Sequence, residues 1–560
     1  MPLPLRSAML AYKTQRLKAF VAGAQHARRE QHQTLLAKIR RNEQSDFGRD
    51  FGFSEIRSVE DFRKRVPIAD YEPFRPYIER VMQGETTAMF RPDTKVLMFA
   101  TTSGTTSKPK HLPVTDEFYK AYRNGWQLWG TGVYRDYKSL LSQTTLQLSS
   151  DWKVAYAPSG VPIGNISGLA AETRPFYTKP MFILPLEVIR IRDHGAKHYT
   201  ALRIAMASSH VGMLVTANPS TLVEFAKRGD RERESIIRDI HDGTLTADIE
   251  VNREVRASLA RYFKPKPKRA RQLAAIVEQT GTLFPRHVWP HLKVLAVWTG
   301  GSVGVYLSQL PEYYGDVPIR DHGISASEGR SSIPLSCGTQ AGMLDYKAHF
   351  YEFIPEAEYG TANPTVLEAH ELQVGENYFL LLTNDAGLYR YDICDVVRCD
   401  GYEGQSPLMS FMNKGRHFSS ITGEKLSEHQ VVQSLKESFA ALGLPSCTFT
   451  LAPTMKNDRP LYRLVVESGT YGTQVSHLAS EVQSRLETIN VEYGDKCRSG
   501  RIQPIEILEV PRGTWAALRN ERSRERGNFE EFKHPCLTSD LHFVDKLPRP
   551  ATKEQHRAAS

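Results

Sequence analysis

KVLMFATTSGTTSKPK, residues 95–110, runs from a compact apolar segment into a loop of small hydroxyl residues and ends on a lysine. The apolar part, through Ala100, has the length and texture of a buried strand. The loop around Gly104 presents backbone N–H groups together with the hydroxyls of Thr102, Ser103, Thr105 and Thr106, donors that can wrap phosphate oxygens. Lys110 brings a compact positive charge to the same oxygens. The order GxxxxGK[ST] is absent, so this is not a Walker loop. Composition by itself leaves two readings open, a phosphate cradle or an ordinary turn.

Outward from this stretch, an α/β chain takes shape. Residues 7–41 carry spaced apolar positions and strong helix formers with no proline, and read as one helix with a basic polar face. Residues 45–85 alternate short helices and turns around Pro67, Pro73 and Pro76. The group Thr115-Asp116-Glu117 opens a helix that runs to about Trp129. The apolar runs ALRIAMASS (201–209), GMLVTA (212–217) and LKVLAVWT (292–299) recur between helical segments such as STLVEFAKRG (220–229). That alternation predicts an α/β architecture with a partly parallel, buried sheet. YKAHFYEFIP (346–355), TVLEAHEL (365–372) and ENYFLLLTN (376–384) follow at short intervals and predict an antiparallel sheet or barrel-like subdomain. After about Lys414 the order becomes a helix over 427–442, the strands SCTFTLAP and RPLYRLVVES, a helix over about 473–493, and the strand RIQPIEILEV. This αββαβ pattern is a small α+β domain, giving an expected division into 1–413 and 414–560.

Composition narrows the function classes. A chain of 560 residues exceeds one comfortable core, and 40% hydrophobic against 24% charged residues is ordinary for a globular protein. No apolar stretch approaches the ~20 residues of a membrane helix. The segment MPLPLRSAMLAYKTQRLKAF lacks the order of a signal peptide, so a cytoplasmic chain without membrane association is expected. Six dispersed cysteines predict no disulfide framework, and Cys394 and Cys399 are wrongly spaced for a CxxC motif. The net charge of +9 is modest for this length and suits a chain that handles a triphosphate. Nothing resembles a nucleic-acid-binding motif, so no nucleic-acid partner is expected. RYFKPKPKRAR (261–271) is the densest basic run; its Lys-Pro alternation predicts a loop, with a polyanion contact as the other reading.

Three further stretches carry chemistry. GISASEG (323–329) sets Glu328 in a loop of small residues, a form that suits magnesium, which takes hard oxygen ligands and keeps several waters; a surface turn with a solvated glutamate is the alternative. Gly300-Gly301-Ser302, after the apolar strand ending near Trp298, lets a ligand approach the backbone closely or is an ordinary turn. In TNDAGLYRYDICDVVR (383–398), Asp395 can accept hydrogen bonds from both hydroxyls of a ribose, or pair with Arg390 or Arg398.

The segment 102–110 resembles the phosphate-loop signature TSGTTGxPK of the acyl-adenylate-forming superfamily, with Ser107 in place of a glycine. The segment 383–398 resembles the stretch TxxAGLYRYxxGD of the GH3 acyl-acid amido synthetases, with Cys394 in place of the glycine before the aspartate. Residues 47–85 are similar to that family's YGxxxGF and VPxxxYExxxPYIxRxxxGE patterns, YEFIP (351–355) to its FFEFIP, and GTWAAL (513–518) to its GTFxxL. On these stretches, in this order, the chain is identified as a member of the GH3 family. The resemblance implies a large N-terminal domain of β-sheets flanked by helices and a smaller mobile C-terminal domain. It implies ATP and Mg²⁺ as cofactors, a small-molecule carboxylic acid and an amino acid or other amine as partners, and a monomer.

It implies roles too. The 102–106 loop and Lys110 hold phosphates, Glu328 holds the metal with Ser327 beside the α-phosphate, and Gly300, Gly301 and Ser302 border the adenylate. Asp395 and Arg416 contact the ribose, and Lys533, in FEEFKHPCL, matches the family's C-terminal lysine although the arginine expected after it is replaced by Cys536. No aromatic residue stands in the usual adenine-stacking place, which leaves His322 and Tyr314 as substitutes. Tyr156, Val161 and Ile163, from a stretch rich in small residues, are candidates for the acyl pocket or for core packing. The alternative function is an acyl-CoA ligase with coenzyme A as acceptor.

Overall fold

The structure is a computed structural model that describes residues 3–102, 110–301, 304–415, 418–419, 421, 424, 426–457, 459–498, 502–526 and 534–548. It divides into two compact units, Met1–Trp298 with Leu310–Phe411, and Thr299–Gln309 with Met412–Ser560. The placing of 299–309 with the second unit is a feature that the sequence reading did not include.

In the first unit, Val96–Thr102 (β1) and Lys110–Thr115 (β2) pair as an antiparallel hairpin. Thr144–Gln147 (β3) starts a second sheet, and Ala155–Tyr156 (β4) and Pro162–Gly164 (β5) return to the first, whose order is β2-β1-β5-β4. Val211–Val215 (β6), Val294–Ala296 (β7) and Ile319–Arg320 (β8) join β3 in the order β3-β6-β7-β8, every pairing parallel. Such a sheet has both faces covered, which is why its central strands β6 and β7 are continuous apolar runs. ALRIAMASS is instead largely the end of a helix, His194–Met206, buried almost all round. A run apolar on every side carries no period by which to tell a buried helix from a buried strand.

Ser325–Ala326 (β9) and Gly329–Arg330 (β10) form a two-stranded hairpin. Ser332–Ile333 (β11), Gly342–Leu344 (β12), Phe350–Pro355 (β13), Leu367–Glu368 (β14), Asn377–Thr383 (β15), Tyr391–Glu403 (β16) and Ser406–Lys414 (β17) make a seven-stranded sheet in the order β11-β12-β17-β16-β15-β13-β14. This is the antiparallel sheet expected from the short strand spacing; among the described residues its order runs from β11 to β14 with no pairing between those two strands that would close a barrel.

The 47–85 segment seats this sheet. Phe47 stacks on Phe74 and on Tyr389, with ring centroids 5.6 and 5.2 Å apart, and all three are buried. The Asp392 N–H donates to the Ala69 carbonyl at 2.9 Å, fixing the start of β16. Arg390, held at φ +46°, donates to Glu352 Oε2 at 2.9 Å and to the Val66 carbonyl at 2.9 Å. Asp385 is gripped by Lys38 and Arg41 of the N-terminal helices; burial pushes its pKa up, and the two cations outweigh that and hold it below the usual range.

The N-terminal helix expected over 7–41 is two helices, Leu3–Gly23 and Ala27–Arg41, joined by a 3₁₀ turn. The Ala24 carbonyl accepts from the Ala27 N–H within that turn and also from the Gln405 N–H at 2.8 Å. The helix Asp116–Asp136 starts where the Thr115 hydroxyl accepts from the Phe118 N–H, as its sequence signal predicts, and runs about two turns past Trp129. The basic run is only partly a loop, because a helix begins inside it at Pro267. Arg269 there donates to the Met206 carbonyl at 2.9 Å, serving the C-terminal end of the helix His194–Met206.

In the second unit, Phe418–Ser419 (β18) pairs with Leu426–Ser427 (β19), and Phe449–Lys456 (β20), Arg459–Glu467 (β21) and Gln503–Val510 (β22) form a sheet in that order. The helix Glu428–Ala441 opens on a capping box between Ser427 and Gln430. Val475–Ile489 and Val491–Arg498 lie between β21 and β22, which are parallel and so need such a crossover. Leu435, Phe439, Leu451, Leu464, Leu478 and Leu486 are buried at the centre of this αββαβ unit.

Candidate active site

Thr102 pairs with Lys110 on the last rung of the β1–β2 hairpin, so the loop 103–109 leaves and re-enters the sheet at one place. Ser103, Gly104, Thr105 and Thr106 lie outside the described residues, as do Ser302, Arg416 and Lys533. The Lys110 ammonium donates to Tyr391 Oη at 3.3 Å and stands 5.3 Å from the Tyr71 ring centroid. Tyr71 is fixed in turn: its hydroxyl donates to the His111 carbonyl at 2.8 Å and accepts from the His111 N–H at 3.0 Å. Burial pushes the Tyr71 hydroxyl up to about 12, so the ring offers Lys110 a neutral π-face. Neither tyrosine was singled out from the sequence. Both lie in the quoted stretches, but only the fold brings them to the lysine.

Ser327 and Glu328 are the two turn residues of the β9–β10 hairpin, between the pairs Ala326–Gly329 and Ser325–Arg330. The Ser327 hydroxyl donates to the Thr101 carbonyl at 3.4 Å, which sets this turn beside the end of β1. Asn384, also missed from sequence, donates to the Glu328 carbonyl at 2.6 Å and accepts from the Ala386 N–H at 2.9 Å. Glu328 is 7% exposed. Gly329 is required beside it, since a Cβ there would stand 2.6 Å from His349 Nε2.

Behind the turn lies a buried polar layer. The Arg330 guanidinium packs 4.3 Å over Trp126 and donates to the His322 carbonyl. His322 meets Trp126 and Trp129 edge-on at 5.1 and 5.5 Å, and burial drives its pKa down to about 3. The Tyr314 hydroxyl donates to the Leu222 carbonyl at 2.8 Å within the core. Neither residue therefore has a free face for adenine, and the expectation that one of them stacks on the base is corrected: their rings are taken up by packing.

Asp395 is 3% exposed and sits within β16, four residues beyond Tyr391. The two arginines expected to compete for it are engaged elsewhere, Arg390 with Glu352 and Arg398 with Asp400 at 2.7 Å. Among the acyl candidates, Tyr156 is 62% exposed, while Val161 and Ile163 are half-buried against the main core. Ile163 pairs with Phe99 of β1, and the Thr101 hydroxyl donates to the neighbouring Gly164 carbonyl at 3.4 Å.

In the first unit, Lys110 at the start of β2, the Ser327–Glu328 turn and, through Tyr391, the start of β16 thus meet at the end of β1. Among the described residues, no three or more of His, Cys, Asp and Glu cluster as a metal cage. A single carboxylate such as Glu328 still fits magnesium, which takes its remaining ligands from water and phosphate.

In the second unit, Gly300 and Gly301 follow β7, and Gly301 adopts φ +67°, a conformation that glycine reaches without strain. Tyr306 accepts from the Thr448 hydroxyl at 3.4 Å, attaching this segment to its unit. His534, next to Lys533, has Nε2 2.9 Å from the Phe449 carbonyl and meets Trp515 edge-on at 4.7 Å. Cys536 is buried, and its N–H donates to Glu428 Oε1 at 2.7 Å.

Comparison with known proteins finds similarity over most of the chain. The GH3 family N-terminal domain matches residues 16–319, the central domain 342–414 and the C-terminal domain 429–542. The indole-3-acetic acid-amido synthetase GH3.3 of Arabidopsis thaliana is 22% identical, covering 92% of this chain and 90% of its own. The jasmonoyl–L-amino acid synthetase GH3.5 of Oryza sativa subsp. japonica is 23% identical, at 95% and 96%. The 4-substituted benzoates-glutamate ligase GH3.12 of Arabidopsis thaliana is 24% identical, at 85% and 87%. A solved GH3.15 acyl acid amido synthetase superposes with a TM-score of 0.83 at 19% identity, covering 95% of this chain and 97% of that one, which is a likeness of fold. With three family domains matched in order across nearly all of its length, the chain belongs to the GH3 family.

Proposed function

We propose that this GH3 enzyme joins a hydrophobic or aromatic carboxylic acid to an amino acid, and that the first unit's cluster around Lys110 is where ATP is handled. The reaction class is that of the family: ATP-dependent formation of an acyl-adenylate, then transfer of the acyl group to an amine to give an amide. The observation that carries the site reading is convergence. Three stretches far apart in sequence meet through two hydrogen bonds, Lys110 to Tyr391 and Ser327 to the Thr101 carbonyl.

The chemistry asks for little covalent help from the protein. A carboxylate is a poor electrophile with a poor leaving group, and adenylation replaces that leaving group with AMP. The acid's oxygen attacks the α-phosphate and pyrophosphate leaves, so catalysis is positioning and charge stabilisation. In this reading the 102–106 loop and Lys110 hold the phosphates, and Ser327 donates near the α-phosphate. Asp395 and Arg416 fix the ribose, Gly300, Gly301 and Ser302 border the adenylate, and Lys533 offsets charge at the α-phosphate. Glu328 would hold magnesium, which supplies charge neutralisation on the departing phosphates. Tyr156, Val161 and Ile163 line the acid's pocket, with β5 beside β1 as the supporting geometry.

An uncharged amine then attacks the acyl carbonyl. The relatives' names support an amino acid as that amine, and they spread over indole-acetic, jasmonic and benzoic acids, so the acid is left at its class. A division at 413/414, with rotation about 414–416, would rebuild the site between the half-reactions. Gly415→Pro with both half-reactions unchanged would count against that hinge.

The test is incubation with ATP, magnesium, pooled carboxylic acids and amino acids, with coenzyme A in a parallel arm, read by mass spectrometry. AMP and an acyl-amino acid amide are expected. Thioester without amide would make the chain an acyl-CoA ligase.

A further inference from the structure

Asp395 lies within an irregularity in β16. Leu381 pairs with Asp392 and Phe379 with Val396, so Ile393, Cys394 and Asp395 stand opposite Leu380 alone. A bulge of this kind re-aims the side chains within it. It forms because Cys394 holds φ +56°, in the left-handed region where a side chain on Cβ is disfavoured. The family pattern has glycine at this position, which adopts that conformation without strain.

The neighbours of Cys394 form a latch over the bulge. The Cys394 N–H donates to Asp392 Oδ1 at 2.7 Å. The other oxygen, Asp392 Oδ2, accepts from the Tyr359 hydroxyl at 2.5 Å, and that hydroxyl lies 3.5 Å from Cys394 Sγ. The Tyr359 ring stacks on Phe379, centroids 3.5 Å apart and planes within 7°. Phe379 is the residue paired with Val396, directly after the bulge. One tyrosine therefore grips the bulge on both sides, through Asp392 before it and through Phe379 after it.

We propose that Tyr359 is a positioning residue for Asp395: with Asp392 it locks Cys394 in the left-handed conformation and so does for this chain what a glycine would do unaided. The proposal rests on the reading of Asp395 as the ribose ligand. Tyr359→Phe keeps the stack and removes only the hydroxyl, and Asp392→Asn weakens the same chain at its other link.

The experiment measures acid-dependent ATP–pyrophosphate exchange with ATP and with 3′-deoxy-ATP, for the wild type, Tyr359→Phe, Asp392→Asn, Asp395→Asn and the double variant Tyr359→Phe/Cys394→Gly. Asp395→Asn is expected to lower kcat/KM for ATP by about tenfold or more and to flatten the preference for ATP over the deoxy analogue. Tyr359→Phe and Asp392→Asn are expected to raise KM for ATP about three- to tenfold with kcat little changed, and to reduce the same preference. The double variant is expected to regain both. If Asp395→Asn loses the preference while Tyr359→Phe and Asp392→Asn keep wild-type values, the latch is overturned and the ribose reading stands. If Asp395→Asn keeps the preference, the ribose reading falls and the latch with it. A double variant no better than Tyr359→Phe alone also overturns the latch, since it leaves the tyrosine with a purely structural role.

Discussion

The Lys110 ammonium lies 3.3 Å from the Tyr391 hydroxyl, joining the end of the phosphate-type loop to the strand that carries Asp395. A flexible lysine is thereby held at one place, between two aromatic side chains. Preorganisation of this kind is how a point charge becomes useful in catalysis. Lys110→Ala should lower acid-dependent ATP–pyrophosphate exchange about 10²- to 10³-fold. Lys110→Arg should recover little, because a planar guanidinium does not replace a compact ammonium at this place. Exchange within about threefold of wild type for Lys110→Ala would refute the phosphate role, given losses of this size at comparable charge-stabilising sites.

Glu328 presents its carboxylate from a turn pinned by Asn384 and by the Ser327 contact to Thr101. Glu328→Gln should raise the magnesium concentration for half-maximal exchange by about tenfold or more. An unshifted magnesium titration would remove Glu328 as the ligand.

His322 and His349 are both held near 3 by burial, far below the 6.5 of an exposed histidine. A depressed folded pKa means that the unfolded chain takes up protons first. Stability is therefore full above pH 6.5 and is lost as pH falls from there toward 3. Each histidine should cost about 2 kcal/mol between pH 6.5 and 5, from 1.36 kcal/mol per pH unit. Urea unfolding of His322→Phe at both pH values should show a loss smaller by about that amount. An equal loss in variant and wild type would show that His322 is not the acid-sensitive group.

Cys394 should be a net strain in the fold. Cys394→Gly should stabilise the chain by about 1 kcal/mol, less the entropy that glycine brings to the unfolded state. Thermal melting reads the sign, and a lowered Tm would mean that the side chain's contacts outweigh the backbone strain.

Lys533→Ala should depress adenylation while leaving aminolysis of supplied acyl-adenylate largely intact. Equal losses in both half-reactions would assign it another role. His534, the residue after it, has Nε2 2.9 Å from the Phe449 carbonyl.

Much of the fold was legible because its signals are local. The strand β1 follows from its apolar run, whereas its hairpin partner β2 was not read from the sequence. The αββαβ order of the C-terminal part follows from alternating periods and a capping box. Two misreadings have separate sources: within 194–206 a helix buried almost all round carries no period, and at 24–26 a 3₁₀ turn forms where the Ala24 carbonyl also meets Gln405, 381 positions away.

The sequence by itself determined the chemistry available: a loop of hydroxyl donors, a lysine, and carboxylates at 328 and 395, in an order that the GH3 family shares. Residue type and spacing along the chain are enough for that. Only the tertiary structure decided which neighbours aim those groups. Tyr71 and Tyr391 reach Lys110, Asn384 reaches Glu328, and Tyr359 reaches the bulge before Asp395 across long stretches of chain. It also took His322 and Tyr314 out of the running for adenine by burying their rings. Contacts of this kind depend on sheet register and on how layers pack, and neither is written in local residue order.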